Sequence, residues 1–307
     1  MENKLITLFG GSGFLGRYIA QELLAAGARV RIAVRNPLNA QFIKPMGGLG
    51  QTQFIACDIA NADHVRAAIH GADIVVNLVG ILKGDFEKYH VTGPRNIAEA
   101  CADQGIEKLL HISAIGADTQ SPSTYGRSRA DGEDAILKAY PNASILRPSI
   151  IFGREDNFLN QFAGLIQSLP VVPVIGGDTK FQPIFVADVA KISTKILSGG
   201  AQHHGKTYEI GGPEVISMRG LNEWIAEAIG RTVLFADVPN FVASAMATLT
   251  GWAPGAPITS DQFKMLASDN IVNPDLDAAK MFGFAATPLE IAKQEWLSLY
   301  REKGRFG

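Results

Sequence analysis

Apolar residues fall in short runs separated by stretches of helical spacing. Leu5, Ile6, Leu8 and Phe9 form a run suited to a buried parallel strand, and Leu15, Ile19 and Leu23 then recur at helical intervals until Gly27 can stop a helix. The alternation continues. Residues 30–34, 54–56, 74–78, 109–113 and 144–146 read as further strands, and 62–69, 92–104 and 123–139 as helices, the last ending before Pro141, whose missing N–H breaks the pattern. Strand and helix in turn predict an α/β chain with a doubly wound parallel sheet of the Rossmann type. Pro170, Pro173, Gly176 and Gly177 then interrupt the periodicity and mark the entry to a smaller, irregular C-terminal lobe. The organisation expected is a Rossmann domain over 1–150, with 184–212 packing back on it, and a lobe built from 151–183 and 213–307.

The first strand-to-helix turn can be read in two registers. Gly11, Gly13 and Gly16 spell GxGxxG, while Gly10, Gly13 and Gly16 spell GxxGxxG. Both place glycines where a helix start offers unpaired N–H groups and a partial positive charge, so that a pyrophosphate can come close. A tight turn that binds nothing is the alternative. The strand before and the helix after favour a dinucleotide.

Composition narrows the partners. With 307 residues, 47% hydrophobic and 19% charged, the chain can bury a sizeable core, and its net charge of -2 leaves no general electrostatic case for nucleic acid. Only Cys57 and Cys101 are present, so a disulfide framework is not expected and a reducing compartment fits. His203 and His204 lack metal-ligand spacing, and no metal is expected. The chain enters a strand almost at once and holds no apolar run of spanning length. A soluble, cytoplasmic protein is expected, with peripheral attachment at the inner face of a membrane left open.

The end of the second strand bears on which dinucleotide. An Asp or Glu there commonly accepts from the ribose 2′-OH of NAD, whereas this chain has Arg35 in "AVRNP". A guanidinium can hold a 2′-phosphate that a carboxylate would repel, so NADP(H) is predicted over NAD(H). Arg17, in the first helical turn, is either a second cation near that phosphate or an exposed surface arginine.

"GGSGFLG", "CDIAN", "NLVG", Ser113 in "HISAIGAD", Tyr125 in "YGRSRADGE" and "LRPSIIFG" occur in the order found in extended and atypical short-chain dehydrogenases, of the NAD-dependent epimerase/dehydratase type. More narrowly, "RPSIIFGREDNFLNQFA", "QPIFVADVAK" and "ATPLE" resemble the atypical family that contains the nucleotide-binding accessory subunit of mitochondrial complex I. The resemblance covers the chain from Leu5 to about Trp296 and favours the register of Gly10, Gly13 and Gly16. It implies that Ser12, Phe14 and Leu15 complete the diphosphate turn and that Asp58 and Ile59 face the adenine. It further implies that Leu78, Val79 and Gly80 line the adenine ribose and that Pro148, Ser149 and Ile150 pass beside the nicotinamide amide. Without the resemblance Asp58 reads equally as a loop acid or helix cap.

For catalysis the resemblance implies Tyr125 as proton donor and acceptor, Ser113 as hydrogen-bond donor to the substrate, and a cation four residues after the tyrosine. That cation is Arg129 instead of the usual lysine. It lies on the same helical face and can hold ribose hydroxyls, but an arginine stays charged and cannot pass a proton onward. His90 stands where extended members carry an Asn. It either substitutes through a ring nitrogen, marks a relay that has been given up, or is a helix-terminal histidine making one backbone hydrogen bond. Ser113 and Tyr125 also have bland readings, as a loop cap and a packed aromatic.

In the C-terminal lobe Phe241, Ala245, Leu249 and Trp252 share one helical face. Such a stripe is either lobe core or a seat for an isoprenoid or quinone tail. Two functions follow: an NADP(H)-dependent oxidoreductase on a hydrophobic carbonyl or quinone-related compound, and an NADPH-holding accessory or assembly module on a respiratory or quinone-synthesis complex. Arg129 moves weight to the second.

Overall fold

The computed structural model describes residues 1–239, 241–245, 259–301 and 304. Its strands are β1 (Leu5–Phe9), β2 (Arg29–Val34), β3 (Thr52–Ala56), β4 (Ile74–Asn77), β5 (Lys108–Ile112), β6 (Ser144–Pro148), β7 (Ile151–Phe152), β8 (Val171–Val174), β9 (Lys180–Phe181), β10 (Ile184–Phe185), β11 (Thr207–Ile210), β12 (Ile216–Ser217) and β13 (Leu234–Asp237). The main helices are α1 (Phe14–Ala25), α2 (Ala62–Ile69), α3 (Gly93–Asp103), α4 (Thr124–Ala139), α5 (Leu159–Ser168), α6 (Val186–Ser198) and α7 (Met218–Ala228).

Seven strands pair in the order β11-β6-β5-β4-β1-β2-β3, with every pairing parallel. The order reverses between β1 and β4, which opens a crevice at their carboxyl ends. The predicted strands are all present, most of them longer or shifted by one or two residues at an end. β11 is an addition to the predicted strands, because "TYEI" is too short to stand out from its flanks.

The central strands are mostly apolar because helices cover both faces of the sheet. Successive side chains of β1 alternate between two cores: Ile6 and Leu8 pack with Ile19 and Leu23 of α1 and Val189 and Ile192 of α6, while Phe9 packs with Val65, Ile69 and Ile97 of α2 and α3. Thr7 is fully buried on that second face and its hydroxyl donates to the Ala68 carbonyl. A third core joins α5 and α7 to Leu289, Ala292 and Trp296.

Two of the family-like strings are stitches between these cores. Asp188, buried on α6, accepts from the Thr287 amide at 2.6 Å and its hydroxyl at 3.1 Å, tying "FVADVAK" to "ATPLE". Asp156 of "GREDNF" is likewise buried and accepts from the Gly153 and Leu159 amides. Of the apolar stripe, Phe241 is 77% exposed and Ala245 also lies at the surface, while Leu249 and Trp252 fall outside the described residues. Among the described residues no helix is long and apolar enough to cross a membrane.

Candidate functional site

The turn after β1 leaves room for nothing but glycine at its contacts. Gly10 has φ +77°, a region that side chains avoid, and a Cβ on Gly16 would lie 2.6 Å from the carbonyl oxygens of both Gly10 and Gly11. α1 is thereby pressed against the turn. Gly11, outside the favoured register, is also constrained, since a Cβ there would meet the Ile32 side chain at 2.8 Å. Gly13 is extended, carries no capping side chain, and spends its own N–H on Gly10. The first-turn amides of α1, at Phe14, Leu15 and Gly16, have no intrahelical acceptor and no capping side chain.

Arg35 emerges exposed from β2, with its guanidinium 5.7 Å from the centre of the Tyr89 ring. Lys88 flanks the same ring at 5.0 Å and forms an ion pair with Asp58 at 3.2 Å. Burial works against the Asp58 carboxylate, but the Ala60 amide and the charges of Lys88 and Arg35 outweigh it and hold its carboxyl below the usual value. Sequence gives no sign of this role for Lys88, because nothing in "EKYH" announces a partner thirty residues earlier. Ile59 is buried, with its side chain against Gly93 at the start of α3, so it supports the wall beneath Asp58. Arg17 is partly buried, not an exposed surface arginine. It pairs with Glu155 at 3.5 Å and lies over the Phe42 ring at 4.8 Å, joining α1 to the loop after β7.

Leu78, Val79 and Gly80 continue β4 along the opposite wall, close to the Gly10 turn, where the Leu78 amide donates to Phe9. Beneath them Asn77 and His111 are fully buried and hydrogen bonded at 3.0 Å. Asn77 Oδ1 accepts from the Val79 amide, so its NH2 faces His111 Nδ1 and the imidazole proton sits on Nε2. Burial and the nearby Arg129 charge push the His111 pKa well down, and the ring is neutral. Its Nε2 has no hydrogen-bond partner among the described residues. Neither has the Ser113 hydroxyl, 5% exposed one residue past β5, nor the Nε of Arg129.

Arg129 is 3% exposed, yet among the described residues it has no carboxylate partner. Its guanidinium donates to the carbonyls of Ile112 and, at 3.5 Å, Val79, spanning the ends of β5 and β4 beside Gly80. One turn earlier on α4, Tyr125 is half-buried in an aromatic wall with Phe86 at 6.1 Å and His90 at 5.5 Å. His90 belongs to a π-wound stretch, Glu87–Thr92, of the kind found at functional sites. Its Nε2 accepts from the Ile81 amide at 3.0 Å, and Nδ1–H donates to Ser128 Oγ at 2.8 Å, which donates to the Tyr125 carbonyl. Burial first, and then the Arg129 charge, push its pKa down to about 3. Both nitrogens of His90 are therefore committed. Gly132 seals this wall, since a Cβ there would fall 1.9 Å from the His90 carbonyl oxygen.

Residues 6–211 match the NAD dependent epimerase/dehydratase family. The chain belongs to that family. Over 302 residues it is 35% identical to "NADH dehydrogenase [ubiquinone] 1 alpha subcomplex subunit 9, mitochondrial" of Mus musculus, covering 96% of this chain and 80% of the relative. Two solved structures share its fold. The triphenylmethane reductase of Citrobacter sp. with NADP(H) aligns at TM-score 0.77 and 18% identity, over 94% of this chain and 99% of that one. The NADPH-dependent quinone oxidoreductase of Escherichia coli with NADPH aligns at 0.75 and 19%, over 94% and 98%.

In this epimerase/dehydratase chain the helix carrying Tyr125 and Arg129 is anchored at depth. Glu133 forms a two-point pair with Arg147 of β6, with contacts of 2.9 and 2.5 Å, and Arg147 reaches Glu209 of β11 at 3.7 Å. Pro148, Ser149 and Ile150, where β6 runs on toward β7, have polar groups that are engaged. The Pro148 carbonyl accepts from Ile115, the Ile150 carbonyl accepts from Ile184, and the Ser149 hydroxyl donates to Asn270 Oδ1 at 2.7 Å. Asn270 in turn donates to the Ile115 carbonyl.

Proposed function

We propose that this protein binds NADP(H) and retains it as a resident group, docked as an accessory or assembly module on a respiratory or quinone-synthesis complex at the cytoplasmic face of a membrane. The observation that carries this reading is Arg129. A buried guanidinium that bridges two strand-end carbonyls is suited to fixing a ribose, and it cannot release a proton at accessible pH. His90, neutral and with both nitrogens engaged, offers no relay in its place.

The residues fit the group. The glycine turn and the uncapped amides of Phe14, Leu15 and Gly16, with Gly10, Ser12 and Gly13, suit a diphosphate. Arg35 is exposed where a 2′-phosphate would need it, and Asp58, Ile59, Leu78, Val79 and Gly80 form the adenosine walls. The unpartnered Ser113 hydroxyl and Arg129 Nε, with Tyr125, Pro148, Ser149 and Ile150, suit the nicotinamide half. Bound NADP(H) would bring hydride-transfer chemistry to that pocket. The name of the mouse relative, a complex I subunit, supports the docked module.

A second reading, reduction of a hydrophobic carbonyl or quinone-related compound, is favoured by one feature: the Ser113 hydroxyl is buried without a partner, as a donor awaiting a substrate oxygen would be. The Escherichia coli quinone oxidoreductase shares the fold.

Titration of nucleotide-stripped protein with NADPH and NADH tests the cofactor. Arg35→Ala should weaken NADPH by roughly tenfold or more, the size of a lost charge-assisted contact, and leave NADH unchanged. Tighter wild-type binding of NADH than NADPH would refute the NADP(H) assignment. A carbonyl and quinone panel separates the two functions. NADPH that survives gel filtration and is never oxidised supports the module, whereas turnover lost in Tyr125→Phe supports the reductase.

A further inference from the structure

One carboxylate crosses from the C-terminal lobe to the start of α4. Asp261, on the short helix Ser260–Met265, accepts from the Thr124 amide at 2.6 Å through Oδ1, and from the Tyr125 amide at 3.0 Å and the Ser123 hydroxyl at 2.9 Å through Oδ2. Ser123 Oγ then accepts from the Gly126 amide at 3.2 Å, and the Ser123 carbonyl accepts from Arg127. The first-turn donors of α4 are therefore all satisfied, two of them by a residue more than 130 positions away.

Asp261 is itself held in place. Thr259 and Gln262 form a reciprocal cap on its helix, and the chain that follows is fastened in turn: the Leu266 carbonyl accepts from Thr179, and Asn270 bonds both Ser149 and Ile115. The strap formed by residues 259–270 thus touches α4 at one end and the loops after β5 and β6 at the other. The other anchors of α4, at Arg129 and Glu133, act one and two turns further along. Without Asp261 the turn that carries Tyr125 would have two amides without partners.

We propose that Asp261 is a positioning residue that pins the Tyr125 end of α4 to the lobe, so that the pocket for the nicotinamide half of the dinucleotide depends on where the lobe sits. This rests on the NADP(H) reading above. The adenosine half is built from the β1 turn, Arg35 and Asp58, none of which Asp261 touches, so the two halves respond differently.

The test compares NADPH with adenosine 2′,5′-bisphosphate, which lacks the nicotinamide half, on wild type, Asp261→Ala and Asp261→Asn. In Asp261→Ala the Kd for NADPH should rise about tenfold, as expected for lost charge-assisted hydrogen bonds, while that for the bisphosphate stays within about twofold. Asp261→Asn keeps one accepting oxygen and should fall between the two. Equal weakening of both ligands, as a merely structural role would give, or no weakening of NADPH, overturns the proposal. Hydrogen exchange of the Thr124 and Tyr125 amides in ligand-free protein reads the latch directly and should quicken at least about tenfold in Asp261→Ala. Unchanged exchange also overturns it. If wild type binds neither ligand, the NADP(H) reading fails and the exchange experiment alone decides the latch.

Discussion

Helices α1 and α4 both begin near the carboxyl edge of the sheet, and they treat their first turns in opposite ways. α1 starts from an extended glycine with no capping side chain and no acidic residue in its first turn. α4 starts from Ser123 and receives the carboxylate of Asp261 from another part of the chain. Of the four orphan amides that a helix start carries, α1 leaves those of Phe14, Leu15 and Gly16 without a helical acceptor, whereas α4 has all of its first-turn amides filled. An open start suits an anion brought from outside. A filled start makes a fixed mount, and the residues mounted on it are Tyr125 and Arg129.

The largest expected effect comes from spoiling the open start. Gly16→Ala forces a methyl to within 2.6 Å of two backbone oxygens, so α1 must move away from the turn. NADPH affinity should drop by about a hundredfold or more, and stability by roughly 1–3 kcal/mol, as for overpacked sites. Isothermal titration and denaturant melts check both. Wild-type affinity in this variant would mean that the amides of α1 are not where the dinucleotide binds.

The mount of α4 also depends on pH. His90, which bonds Ser128 of α4, is held down to about 3 from an ordinary value near 6.5, and His111 is lowered in the same sense. The unfolded chain therefore takes up these protons before the folded one does. For His90 this stability is complete above about pH 6.5 and is lost as the pH falls toward 3, by about 1.4 kcal/mol per pH unit, and His111 adds in the same direction. Melts across that range should show a shallower acid slope for His90→Gln; an unchanged slope would contradict the assignment.

Ser123→Ala is the mildest change. Losing the capping hydroxyl should cost about 1 kcal/mol, read from denaturant midpoints, with faster amide exchange confined to the first turn of α4. A loss of adenosine bisphosphate affinity of comparable size would blur the distinction between the two helix starts.

Much of this layout was legible in the sequence. Six strands and the helices between them follow from alternating period, because a sheet covered on both faces needs apolar runs and its covering helices need apolar stripes. Tyr125 and Arg129 could be placed together, since four residues make one helical turn. What could not be read were pairings across distance. Arg17 meets Glu155, Lys88 meets Asp58, Asp188 meets Thr287 and Asp261 meets Thr124, and each side chain looks like an ordinary surface charge until the fold supplies its partner. Local spacing carries no signal for such contacts. The four-residue β11 was invisible for a different reason, being too short to show a period. The direction taken by Arg129, toward two carbonyls and away from any acid, was equally hidden.

The contact at Gly132 limits how this pocket can diverge. Where backbone touches backbone, no bulkier residue fits without prising α4 from the 87–92 stretch, so relatives that need a roomier chamber cannot gain it by trimming or enlarging side chains along that seam.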